Sequence, residues 1–247
     1  MIRVNDDIPE DKLGEEILHK IITNKLKSKK NVFISIVGAT GSGKSYTALK
    51  IASMIQKTPK LNVAEQVVYD PTKFLEAVKN AKEKGYKVLI LDEAHVVAPA
   101  QMWHSFSNLA ISLVSSIFRQ IHQMALIMVA PSLRWVEKRL RELTDYYVVI
   151  TRGDGSLRAS MNIYQVVMNY FFFGDQEPRI IKIRFAYKGR LYALRTIKLG
   201  LPDEDVIRDY EEISTKFKSE FISKKLVELT EKMSKKMSIL DASEVKR

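Results

Sequence analysis

An octapeptide, GATGSGKS at Gly38–Ser45, stands between the apolar, β-branched run Val32–Val37 and a segment, residues 46–56, whose apolar positions recur at helical spacing. It matches the pattern G-x-x-x-x-G-K-[ST]. In that pattern the backbone amides of the loop wrap a β-phosphate, the lysine (Lys44) reaches the β- and γ-oxygens, and the final hydroxyl (Ser45) binds magnesium. Gly41 and Gly43 let the backbone approach the phosphate closely, while Gly38, Ala39, Thr40 and Ser42 complete the loop and Tyr46 follows it into the helix. The amino end of that helix also favours anions. Strand, tight loop and helix in this order predict a β–α unit that binds the phosphates of a nucleotide, with ATP and Mg2+ as the implied ligands.

A second element, VLILDE, is an apolar strand that delivers Asp92 to its carboxyl end, where ligands bind in open α/β sheets. Asp92 is placed to hold magnesium directly or through water, and Glu93 beside it to polarise an attacking water. An adjacent Asp-Glu pair favours hydrolysis over transfer to another acceptor. His95 reads as a packing or relay residue. Ser132, after Pro131, is either a sensor of the γ-phosphate at the end of an intervening strand or a simple helix cap. ATPase motors often complete their site with an arginine from a neighbouring subunit. Arg119 is the first candidate, the only Lys or Arg between Glu93 and Arg134, with Arg134, Arg139 and Arg141 behind it.

Along the rest of the chain, apolar strands alternate with helical patterns. Strands are expected at residues 67–69, 87–91, 125–130 and 146–150, and helices at 8–28, 72–84 (capped by Thr72 and stopped at Gly85), 103–122 and 135–143. Such alternation calls for a mostly parallel sheet covered by helices on both faces, so the fold class is α/β. Arg152–Ser156 is a turn, after which 180–187 and 191–199 form a β-hairpin around Lys188-Gly189-Arg190. From Pro202 onward apolar residues recur at three and four positions, which predicts one or two amphipathic helices.

Composition narrows the partners. The 40 Lys and Arg against 29 Asp and Glu give a net charge of +11, which makes a polyanion such as DNA a plausible partner. Residues 179–198 hold seven basic and no acidic side chains, with Phe185, Tyr187 and Tyr192 interleaved. Lys182, Arg184 and Lys188 share one strand face in this reading, and with Arg190 they either follow a nucleic-acid backbone or guard a hairpin edge against aggregation. The absence of cysteine excludes disulfides, thiolate metal sites and thiol nucleophiles. The charged start and lack of a signal-like apolar core point to the cytoplasm, or to the host cell interior if the protein is viral. Two uncharged stretches, 96–118 and 159–174, carry too many polar residues to span a membrane and read as protein-facing surface.

Taken as a set, GATGSGKSYTALKIA, VLILDEAH, Trp103, SSIFRQIHQMALIMVAPSL and LPDEDVIRDYEE resemble the zonula occludens toxin-like ATPases of archaeal plasmids and viruses, similar in turn to the FtsK/HerA group of DNA-pumping motors. The resemblance covers about residues 31–215. It implies a P-loop NTPase fold, Lys44 and Ser45 on nucleotide and magnesium, Asp92 on magnesium, Glu93 as base, Arg119 as an arginine finger, and a hexameric ring. FtsK/HerA motors usually carry glutamine where this chain has Ser132. The expected organisation is a lead-in helix (1–30), an ATPase domain with an added basic hairpin (31–200) and a helical tail (201–247), the tail serving either subunit contact or its own domain. A replication initiator or helicase loader of the AAA+ type, similar to DnaA, is the alternative. A small-molecule kinase is a third, which Glu93 opposes.

Overall fold

The computed structural model describes residues 2–69, 71–93, 123–135, 141–151, 159–167 and 179–244. It divides into two compact units, Met1–Val206 and Ile207–Arg247.

The first unit is built on an eight-stranded sheet. Five of its strands are parallel, in the order β3 (Val67–Val68), β4 (Val88–Leu91), β5 (Ala125–Ala130), β2 (Val32–Val37) and β6 (Tyr146–Thr151). Every residue of β2, β4 and β5 is buried, as continuous apolar runs require when helices cover both faces. On one face α4 (Pro71–Lys84) contributes Phe74, Ala77, Val78 and Ala81 to a core with Phe33, Leu89, Leu91, Leu126 and Met128. Helices α1 (Glu10–Lys27) and α2 (Lys44–Ile55) also pack on the sheet. Helix α1 comes so close to β11 (Thr196–Leu199) that a Cβ on Gly14 would lie 2.6 Å from Cγ2 of Ile197. The mostly parallel α/β sheet predicted from strand and helix alternation is therefore present.

Several polar groups inside this core are paired. The hydroxyls of Ser35 and Thr144, both buried, lie 2.7 Å apart. Gln56 and Gln66 exchange side-chain hydrogen bonds of 3.2 and 2.9 Å, and each also bonds backbone on the β4 side: Gln66 donates to Val88 O and Gln56 accepts from Lys87 N–H. They tie the end of α2 and the short helix α3 (Val63–Gln66) to the strand that carries Asp92.

Sequence and structure part company in three places. Helix α4 begins at Pro71, so Thr72 is inside its first turn and not its cap; proline's fixed φ suits the first helical position. The stretch 159–174 reads in sequence as protein-facing surface with no strand expected, and residues 159–167 form β7 (Ala159–Val167), antiparallel to β6, with Ser160, Met161 and Ile163 buried. The hairpin is also not two continuous strands. Its outer parts, β8 (Arg179–Lys182) and β11, lie end to end along β7, pairing with Tyr164–Val167 and Ala159–Asn162. Its inner parts, β9 (Arg184–Tyr187) and β10 (Arg190–Ala193), leave the edge and form a three-stranded sheet with β1 (Ile2–Arg3). Ile183 and Leu194, both buried, mark the departure, joined by a 2.8 Å bond from Leu194 N–H to Ile183 O. Strand β1 supplies β9 with the ladder partner that β7 does not.

A single helix, α5 (Glu204–Glu244), follows. Its acidic first turn suits the positive end of the helix dipole, and Asp205 there pairs with Lys60. Among the described residues no helix is long and apolar enough to cross a membrane. The expected helix 103–122 and the turn 152–156 lie outside the described residues, as does most of 135–143.

Candidate active site

Register brings the carboxyl ends of β2, β5 and β4 to one edge of the sheet: Val37 and Ala130, the last residues of β2 and β5, pair, and Leu91, the last of β4, pairs with Met128. Strand β5 thus stands between the strand that feeds the phosphate loop and the strand that feeds the acidic pair. Everything the parallel strands deliver there (Gly38, Pro131, Asp92) emerges along one edge.

The loop's shape is set by its glycines. A Cβ on Gly38 would sit 2.8 Å from Ser42 Oγ and 3.1 and 3.2 Å from Cβ and O of Ile150 on β6, so only glycine fits without displacement. Gly41 and Gly43 have φ of +74° and +85°, the left-handed region. Gly43 is the residue before α2 and accepts 2.9 Å bonds from both the N–H and the hydroxyl of Thr47. No side chain caps the amino end of α2, which leaves its first amides for an anion. The Ser42 hydroxyl is buried without a protein partner among the described residues, a further donor inside the loop.

Lys44 folds back so that Nζ donates to Ala39 O at 2.8 Å. Burial holds its pKa below the ordinary lysine value, opposed by the charges of Glu93 and Asp92. Phosphate oxygens would give the ammonium better partners than one carbonyl. The Ser45 hydroxyl donates to Asp92 Oδ1 at 3.3 Å, joining the two proposed metal ligands across α2 and β4. Asp92 is 1% exposed, its N–H donates to Val68 O at 3.0 Å, and Oδ1 also accepts the Glu93 N–H at 2.9 Å. A buried carboxylate and a hydroxyl in contact are hard oxygen donors of the kind magnesium takes, with water and phosphate completing its shell. Among the described residues no cluster of three or more His, Asp or Glu offers an all-protein cage instead. These residues fit Mg2+.

Glu93 is half-buried with φ of +51°, an unfavourable conformation for a residue with a Cβ. It turns the chain immediately beyond Asp92, so the two carboxylates occupy successive positions at the strand end. Tyr46 is half-buried in the first turn of α2.

At the end of β5, Ser132 Oγ accepts the Arg134 N–H at 3.3 Å, the bond of a local turn before the 3-10 segment Leu133–Trp135. Accepting this bond leaves its own proton to donate. Arg134 is exposed, and Arg141 is half-buried with Nε lacking a partner among the described residues. Arg119, Arg139 and His95 lie outside the described residues.

The structure separates the basic candidates from this edge. Lys182 belongs to β8 and Arg184 to β9, in different sheets, while Lys188 is a turn residue with φ of +47° whose N–H donates to Asp6 Oδ1 at 2.6 Å. They share no continuous strand face, because the hairpin breaks at Ile183. Two contributors had no local signal. Ile150 walls off Gly38 from far along the chain, and Arg3 joins the hairpin through β1.

Residues 34–149, from within β2 to within β6, match the model of the ATPase family associated with various cellular activities (AAA). No curated protein matches the chain in sequence. Among solved structures it is similar to the N-terminal domain of zonular occludens toxin from Neisseria meningitidis, at 13% identity and a TM-score of 0.42 over 72% of this chain and 97% of that one. It is also similar to the genome packaging NTPase of Sulfolobus turreted icosahedral virus 2 in complex with ATP-gammaS, at 16% identity and a TM-score of 0.36 over 62% and 97%. A third is the flagellar accessory protein FlaH from Methanocaldococcus jannaschii, at 13% identity and a TM-score of 0.35 over 53% and 77%.

Proposed function

We propose that this chain is a magnesium-dependent ATPase that works as an oligomer on DNA, coupling hydrolysis to translocation, packaging or transfer of viral or plasmid DNA. The observation that carries the enzymatic half is the contact of Ser45 Oγ with Asp92 Oδ1 at 3.3 Å, with Glu93 immediately beyond. In this reading Gly38–Ser45 bind the phosphates, and Ser45 and Asp92 hold magnesium, which neutralises charge on the phosphate oxygens when bound. Glu93 accepts a proton from the attacking water, and Lys44 stabilises charge on the transferring group. In this reading Ser132, just beyond β5, donates to the γ-phosphate, a role supported by β5 ending level with β2 at Ala130 and Val37. Arg119 completes the site of the next subunit in a ring.

The DNA half rests on the +11 charge, the basic hairpin Lys182, Arg184, Lys188 and Arg190, and the resemblance to DNA-pumping motors. ATP turnover measured with and without DNA at low salt tests it: the rate rises with DNA if the reading holds. A protein that neither bound DNA nor changed its rate would refute the motor, leaving the ATPase intact.

The match to the AAA family model favours a second reading, an initiator or helicase loader that uses ATP to switch assembly on DNA. Such proteins follow the core with a helical lid. Here β7 to β11 follow β6 among the described residues. Nucleotide-dependent binding to one DNA sequence without movement would select this alternative.

A further inference from the structure

The hairpin's seven basic residues and three aromatics do not contribute equally once folded. Phe185 and Tyr187 are 6% and 5% exposed, and Tyr187 donates its hydroxyl to Ile8 O at 2.8 Å. Both are committed to packing. The Lys188 turn lies against Asp6, which offsets its charge. Strands β8 and β10 are exposed at every residue, and β10 alone of the two sets an aromatic ring, Tyr192, among its exposed residues Arg190, Leu191 and Ala193.

Strand β10 is an edge strand. Among the described residues it pairs only with β9, so one row of its backbone groups is open. Tyr192 stands opposite Phe185 in the ladder, and the rings stack with centroids 5.6 Å apart and planes 24° from parallel. Phe185 is buried and Tyr192 is 41% exposed, so the tyrosine ring is held from behind by a fixed aromatic while part of its surface meets solvent. Arg190 projects from the same side of β10 two residues away. Arg184 faces the opposite side of the small sheet from Phe185 and Tyr192, and Arg3, brought in by β1 opposite Ala186, is on that side too. Arg3, Arg184 and Arg190 are exposed, and among the described residues no carboxylate pairs with them.

A pre-ordered aromatic surface beside the uncompensated guanidinium group of Arg190 is what an unpaired base and its phosphate require. A duplex keeps its bases stacked inside and offers the ring nothing. We infer that the β10 edge binds single-stranded nucleic acid, with a base stacked on Tyr192, a phosphate held by Arg190 on the same face, and Arg184 and Arg3 adding positive charge from the opposite face. This rests on the DNA-binding reading above and specifies which form of DNA that surface takes.

The test uses the full chain with a fluorescein-labelled oligothymidine and a labelled duplex of equal length, comparing Tyr192→Ala, Tyr192→Trp and the unaltered protein. The expected result is that Tyr192→Ala weakens oligothymidine binding roughly tenfold, that Tyr192→Trp restores it, and that duplex affinity changes less than about twofold. ATP turnover without DNA and the circular dichroism spectrum stay unchanged, which shows that the fold is intact. If both DNA forms bind and Tyr192→Ala alters neither, the platform is wrong while DNA binding stands. If Tyr192→Ala shifts the particle mass in light scattering without touching DNA affinity, the β10 edge is instead a contact between copies, which overturns the inference. If the unaltered protein binds neither form, the DNA reading fails first and this inference with it.

Discussion

The carboxyl edge of the parallel sheet and the excursion at its β7 edge are built on opposite plans. At the first, Gly38–Ser45 and Asp92–Glu93 are contiguous in sequence, and the strands that deliver them are wholly buried. In the proposed mechanism much of the chemistry there falls to backbone amides and to groups at the end of a rigid strand. At the second, β9 exists as a sheet strand only because β1 and β10 flank it, from the start of the chain and from across a turn. Its useful side chains are defined by which of them stay exposed. A site made of short, local segments delivered by buried strands can be read from sequence; a surface made by long-range pairing cannot.

The largest effect that separates the two regions is expected from Lys44→Ala. Removing the ammonium from the loop should lower ATP turnover by at least about a hundredfold, while DNA affinity without nucleotide stays within about twofold. Filter binding and a phosphate-release assay check both. If DNA affinity collapsed as well, the two regions would not be independent.

Gly38→Ala should come next. The added methyl meets Cβ and O of Ile150 at 3.1 and 3.2 Å, and the cost of forcing it in is about 1–3 kcal/mol. Nucleotide affinity should fall with the thermal midpoint, because the phosphate loop must shift. A smaller loss, about 1–2 kcal/mol, is expected of Asp145→Asn. The Asp145 carboxylate accepts the Phe33 N–H at 2.9 Å and pairs with Lys25, both at the amino end of β2. This change should lower stability in urea and leave the ATP affinity of the folded protein unaltered, because the perturbation is at the far end of the strand.

Alkaline pH gives the mildest probe. Burial, aided by the Asp145 charge, pushes the Tyr146 phenol up to about 12. The unfolded chain therefore loses that proton first, and stability should decline as pH rises from about 10 through 12. Tyr146→Phe should flatten the decline. At the loop, Lys44 is lowered, so the free protein should begin to lose ATP affinity at a lower pH than an ordinary lysine would dictate. The hairpin arginines stay charged throughout, and DNA affinity should not follow this trend.

The same contrast explains what was legible. The strands at 125–130 and 88–91 were found within a residue because buried parallel strands are unbroken apolar runs. Strand β7 has no such signature, because Asn162, Tyr164 and Gln165 interrupt its apolar positions and its identity depends on partners on both sides. The hairpin turn at Lys188-Gly189 was visible, with Gly189 at φ of +70°, but nothing local marks Ile183 as the point where the chain leaves one sheet for another. At the site, the residue types of the loop and acidic pair announce their chemistry. The packing of Ile150 on Gly38 does not, since it joins two strands that only the fold makes neighbours.

In the proposed mechanism Glu93 activates water at a site where Lys44, Ser45 and Asp92 hold the nucleotide and its metal. Single-turnover hydrolysis and equilibrium binding of ATP with Mg2+, measured on Glu93→Gln, test it most directly. ATP affinity is expected to stay within a few-fold of the unaltered protein while hydrolysis slows by about a hundredfold or more. Normal turnover in Glu93→Gln would contradict it.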